Sequence, residues 1–170
     1  MLLTERAIRQ LIYNVLLESV QEDSEEKKRY RALSDDLIAS AQVFAPDTTW
    51  SKPDVLEEVS EIYRTAEVLG IDFETLMKRV KESNLEILDD ETWEMMENSD
   101  SWETVTVDEA NARAYDYDRD IANVFEGMGK ELPAPIVLMH DGTPYLIAGN
   151  TRLMASRALK VRPKVLMVRM

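Results

Sequence analysis

The chain has 170 residues, 45% of them hydrophobic and 31% charged, which is the composition of a folded protein of one sizeable domain, or of a compact domain plus a helical segment. With no cysteine and one histidine, His140, it has no disulfide framework, no thiolate nucleophile and no multi-histidine metal centre. Its formal net charge of −13 repels bare nucleic acid, so non-specific nucleic-acid coating is disfavoured.

The first predicted element is "LTERAIRQLIYNVLLESV". Ile8, Leu11, Ile12, Val15 and Leu16 recur at helical spacing behind Thr4 as a candidate N-cap. After the charged "QEDSEEKKRY", a second helix is expected over about 30–44, stopped by Pro46 and the turn-like "APDTTWSKP". Ser51 and Asp54 ahead of Val55, Val59, Ile62, Ala66 and Leu69 predict a third helix closed by Gly70. Asp72 caps a fourth in "DFETLMKRVKES", with Leu76, Met77 and Val80 inward. The acidic stretch 87–101 carries Trp93 and yields no assignment.

The pattern then changes. "ETVTV" alternates like a short strand, and Asp108 is placed to cap a helix running through Tyr115. "RDIANVFEGMG" puts Ile121, Val124, Phe125 and Met128 on one helix face, with Gly129 as the stop. "PIVLMH" and "PYLIAG" read as two strands joined by the turn pair Asp141-Gly142. "TRLMASRALK" is a helix and "PKVLMVRM" a last strand. The expected fold is therefore α+β, with an acidic, mostly helical region over 1–100 and a small α/β domain over 102–170. No apolar stretch approaches the ~20 residues of a membrane span and no signal peptide is visible, so a cytoplasmic location without a membrane partner is expected.

Charge is unevenly placed. Residues 1–100 hold 11 Lys/Arg and 24 Asp/Glu, whereas residues 142–170 hold no carboxylate and six cations, Arg152, Arg157, Lys160, Arg162, Lys164 and Arg169. Within this acid-free end, Gly149-Asn150-Thr151-Arg152 stands where a strand turns into a helix. Gly149 permits close ligand approach, and Asn150 or Thr151 caps a helix whose first amides lack internal partners. Arg152 opposes the helix dipole unless an anion lies between them. Ser156, one turn on, is expected to offer a hydroxyl on the same face. The plainer alternative is that these cations form a solvated face. Turn residues are the expected role of His140 and Asp141. "DYDRD" over 116–120 fails as a calcium loop, because Ile121 occupies the glycine position.

In order and spacing, residues 102–170 resemble the ParB/sulfiredoxin superfamily. The resemblance runs through "WETVTV", "NAR" with Arg113, "IANVFEGMG", "APIVLMH", "DGTPYLIA", "GNTRLMASRAL" and "VRPKVLMV". It implies a small α/β domain that binds a nucleotide or phosphate through Gly149, Asn150, Thr151 and Arg152, with Arg113 as a second cationic contact. It also implies, if the domain is an enzyme, nucleotide hydrolysis or phosphoryl transfer with Mg²⁺ and a nucleotide, or a ParB-like nuclease activity. The chain departs from the Gly-Glu-Arg-Arg corner of DNA-partition ParB proteins at Asn150 and Thr151. Asn150 also stands where sulfiredoxins carry their catalytic cysteine, so the chain is not a sulfiredoxin. The helix "LTERAIRQLIYNVLLE" resembles the leader helices of tailed-phage proteins. That resemblance implies a phage-encoded chain, in host cytoplasm or virion, with a protein partner for the N-terminal helical region. The alternative function is a non-catalytic interaction or virion-assembly protein that retains the fold.

Overall fold

The computed structural model describes residues 33–96 and 106–170, of which residues 33–170 form one compact unit. The predicted N-terminal helix and most of the predicted strand "ETVTV" lie outside the described residues. The elements in order are α1 (Asp35–Phe44), a 3-10 turn (Ala45–Asp47), β1 (Thr49–Ser51), α2 (Val59–Leu69), α3 (Phe73–Glu82), β2 (Asn84–Ile87) and α4 (Asp90–Met95). They continue with α5 (Val107–Asp116), α6 (Ile121–Gly127), β3 (Glu131–Pro133), β4 (Ile136–His140), β5 (Thr143–Ala148), α7 (Asn150–Ala158) and β6 (Lys164–Arg169). Helices and sheet strands together make the unit α+β. Among the described residues, no helix is long and apolar enough to cross a membrane.

The central sheet has the order β2-β6-β4-β5, with β4 and β6 parallel and the outer pairs antiparallel. Side chains alternate between its two faces. Ile136, Leu138, Leu166 and Val168 pack on one face against Ile62 and Ala66 of α2 and Leu76 and Val80 of α3. Val137, Val165 and Met167 pack on the other against Leu153 of α7, Leu88 and Met96. Because both faces are covered, β4 and β6 read as unbroken apolar runs. A further layer of α1, α5 and α6 closes over α7 through Ala41, Ala110, Ala114, Phe125, Met154 and Ala155. Alanine at so many of these positions lets the helix backbones approach closely. Helix α7 is thus enclosed on most sides, and its N-terminal end faces a cleft.

The strands β4 and β5, the turn between them, α3 behind its Asp72 cap and the Gly70 C-cap of α2 lie where the sequence predicts. The turn residues Asp141 and Gly142 both have positive φ, 49° and 76°, as a tight two-residue hairpin requires. Three details differ, and the start of α6 gains a defined cap. Helix α2 starts at Val59 and not near Ser51, because Ser51 belongs to β1, which pairs in parallel with β3 and accepts the amide of Ala134 at 2.9 Å. The N-cap of α5 is Thr106 and not Asp108; Thr106 and Glu109 form a reciprocal capping box that fixes the start two residues earlier, so Thr106 and Val107 open this helix and do not end a strand. Asp120 is the N-cap of α6 and accepts the Asn123 amide, so that carboxylate is spent on the helix. Finally, β2 lies in the region expected to be mostly helical, and α4 in the stretch 87–101 that has no readable pattern. The predicted division near residue 101 falls inside the undescribed stretch 97–105, and strands from either side of it, β2 and β6, share the central sheet.

Candidate functional site: the cleft at the Gly149–Arg152 corner

Strand β5 ends at Ala148, and the chain turns into α7 through Gly149 at φ 97°, ψ 26°. Two features demand glycine there. The backbone lies in the left-handed region, and a Cβ would meet Pro135 Cα at 2.8 Å. Gly149 is the N-cap itself and has no side chain to bond the first-turn amides, and no side-chain cap replaces it. The expected capping by Asn150 or Thr151 is therefore not what the structure has; both are the first residues of the helix. An α-helix leaves its first amides without intrahelical partners, and here that end carries no acidic residue in its first turn.

This corner forms one wall of a cleft of about 700 Å³. The other walls come from Glu58, Glu61 and Arg64 in the first half of α2 and its cap, Arg119, Asp120, Asn123 and Val124 around the start of α6, and Lys130 with the β3 residues Glu131–Pro133. Four cations, Arg64, Arg119, Lys130 and Arg152, share the lining with the carboxylates of Glu58, Glu61, Asp120, Glu126 and Glu131. The surface is mixed in sign, not uniformly basic. Arg64 donates to Glu61 at 2.6 Å in an exposed i,i+3 pair. Burial lowers the pKa of the Arg119 guanidinium below its ordinary value; the Glu61 charge acts against that shift and the Arg64 charge with it.

Arg152 is the decisive residue. Its Nη2 donates to Glu58 Oε1 at 3.0 Å, and the two side chains are only 14% and 21% exposed. The Arg152 guanidinium is thus engaged by one of the protein's own carboxylates and not left to an external anion, which counts against a vacant seat for negative charge beside it. Ser156 does not join the site. It is fully buried, and its hydroxyl donates back to the Arg152 carbonyl at 2.8 Å, a use typical of serine inside a helix. Arg113 lies half-buried in the last turn of α5 and is not among the residues lining the cleft. Gly149, Asn150, Thr151 and Arg152 do line it together.

Sequence reasoning missed Arg119, Glu58, Glu61 and Arg64. Arg119 had a local signal, since it immediately precedes the α6 cap Asp120. The α2 residues had none, because 94 positions separate Glu58 from Arg152 and only the packing of α2 on the sheet brings them together.

The remaining arginines of the acid-free end are also engaged. Arg162 Nη1 donates to Asp90 at 2.7 Å and to the Leu88 carbonyl, and Arg169 makes two 2.7 Å bonds to Glu86. Arg157 is buried, donates to the carbonyls of Trp93 and Met96, and stacks on the Trp93 ring at 4.3 Å. The carboxylate-free end therefore complements acidic residues 58–90 of the same unit.

No protein-family model, no curated protein and no solved structure matches the chain.

Proposed function

We propose that the protein binds a phosphate-bearing ligand, a nucleotide in the first instance, in the cleft at the Gly149–Arg152 corner. The observation that carries this reading is the uncapped N-terminus of α7 opening onto a cleft of about 700 Å³ whose lining includes four cations. That volume lies within the range of small-molecule sites. Main-chain amides and the helix dipole favour an anion by ~0.3–1 kcal/mol when exposed and by up to about 2 kcal/mol when partly buried. Arg152 and Arg119 would add charge-assisted hydrogen bonds to phosphate oxygens. The carboxylates on the opposite wall suit a ligand that also presents donors, as a nucleobase or ribose does.

The order α6, β4, β5, α7, β6 follows the ParB/sulfiredoxin pattern, with two departures: β3 precedes β4, and Arg113 lies in helix α5 and not in a loop. For catalysis the same resemblance implies Mg²⁺. Among the described residues, no group of three or more His, Asp or Glu side chains is placed to hold a metal. A magnesium ion fits this cleft only as part of a nucleotide complex, held by the phosphates with one or two carboxylates such as Glu58 or Glu61. When bound it would neutralise phosphate charge; the chain's own part is to seat and orient the phosphates.

A second reading has its own observation. The Arg152–Glu58 pair already gives the guanidinium a carboxylate partner, as expected of a non-catalytic interaction or phage-assembly protein in which the corner is only structural. Calorimetric titration with ATP, CTP, GTP and inorganic phosphate, with and without Mg²⁺, separates the two. Binding that is lost in a folded Arg152→Ala variant supports the first; no heat from any ligand supports the second.

A further inference from the structure

We infer that Glu58 is a built-in competitor for the cleft's ligand, a latch that holds Arg152 until a phosphate replaces its carboxylate; this rests on the cleft being the phosphate site. Three observations combine. Arg152 belongs to the first turn of α7 and lines the cleft beside Gly149, Asn150 and Thr151. Its guanidinium donates to Glu58 at 3.0 Å, in a setting where both side chains are mostly shielded from water. Glu58 comes from the N-cap position of α2, makes no side-chain hydrogen bond to that helix end, and so is not needed to cap it.

A shielded carboxylate on a guanidinium mimics a phosphate oxygen in charge and geometry. A ligand phosphate has to break the Arg152–Glu58 pair or share Arg152 with it, and it meets the like charge of Glu58 as it enters. The pair therefore sets the affinity of the site. It tunes binding toward ligands carrying enough charge, or an accompanying cation, to outcompete one carboxylate. A triphosphate with Mg²⁺ meets both conditions, because the ion can take the released Glu58 carboxylate; inorganic phosphate meets neither.

The test titrates inorganic phosphate, and ATP, CTP and GTP with Mg²⁺, into the wild-type protein, Glu58→Gln, Arg152→Ala and the double variant. Glu58→Gln keeps the size of the side chain and removes its charge. The latch predicts tighter binding by Glu58→Gln, by about fivefold or more for inorganic phosphate, and a smaller gain for the magnesium triphosphates. It also predicts that the gain vanishes when Arg152 is already alanine. Wild-type binding that Glu58→Gln leaves unchanged or weakens overturns the latch while leaving the phosphate site standing. A gain that persists in the Arg152→Ala background also overturns it, since the effect would then be the loss of one negative charge in general. No binding by either the wild type or Glu58→Gln removes the phosphate site and the latch with it.

Discussion

Gly149, Arg152 and Ser156 stand within eight positions of one another and have three separate fates. Gly149 is fixed by geometry, since its φ of 97° and its approach to Pro135 leave no room for a side chain. Gly149→Ala is expected to destabilise the fold by about 1–3 kcal/mol, the cost of a strained backbone position with a steric conflict added, read as a lowered midpoint in urea denaturation. Arg152 is legible as an oddity, a cation in the first turn of a helix; the oddity points to a ligand anion, whereas the partner in the structure is a carboxylate of the protein itself. Which charge was not legible, because Glu58 is distant in sequence. Ser156 was misread for a different reason. Helical spacing places residues 152 and 156 on one face, but it does not say whether that face looks toward solvent, and the layer of α5 and α6 over α7 buries it.

At the scale of elements, periodicity and punctuation carried most of the description. Leu76 and Val80 face the core behind Asp72 as their spacing predicts, and Asp141-Gly142 makes the hairpin. Failures occurred where tertiary pairing, not local pattern, decides. Strand β2 is four residues long and half exposed, so it offers no alternation strong enough to read; it exists because Asn84 to Ile87 pair with β6. Its cross-strand partnership also contains Glu86 and Arg169. The two Arg169 hydrogen bonds hold the Glu86 carboxyl below its usual pKa, partly opposed by burial. A lowered carboxylate stabilises the fold at pH above the ordinary glutamate range, and that contribution is lost as pH falls through the lowered value. Both side chains are substantially exposed, 60% for Arg169 and 40% for Glu86, so solvent screening limits the effect to less than about 1 kcal/mol. Urea midpoints measured from neutral to acid pH should therefore fall slightly less steeply for Glu86→Gln than for the wild type. Identical slopes would show that the pair contributes nothing.

For the molecule as a whole, the charge asymmetry has a structural answer. The carboxylate-free end is not a bare basic patch; Arg152, Arg162 and Arg169 meet Glu58, Asp90 and Glu86, which the chain supplied earlier. Arg157 goes further, since its guanidinium is buried between Trp93 and the carbonyls of Trp93 and Met96, and burial depresses its pKa while the Glu94 charge opposes that shift. Removing it strands two carbonyls and opens a gap between α4 and α7. Arg157→Ala is expected to cost about 3–5 kcal/mol, and Arg157→Lys to recover little of it, because an ammonium cannot reproduce the planar stack with its paired donors. Thermal denaturation of the three proteins measures this directly; a lysine variant as stable as the wild type would refute the role given to the stack.

The central claim is that the start of α7, with Arg152, receives a phosphate-bearing ligand. Amide chemical shifts of ¹⁵N-labelled protein, followed while a magnesium nucleoside triphosphate is added, test it at single-residue resolution. The prediction is saturable movement of the Asn150, Thr151 and Arg152 amides, accompanied by those of Glu58 and Arg119 across the cleft. Saturation with those five signals unmoved, or movement confined to another surface, would contradict it.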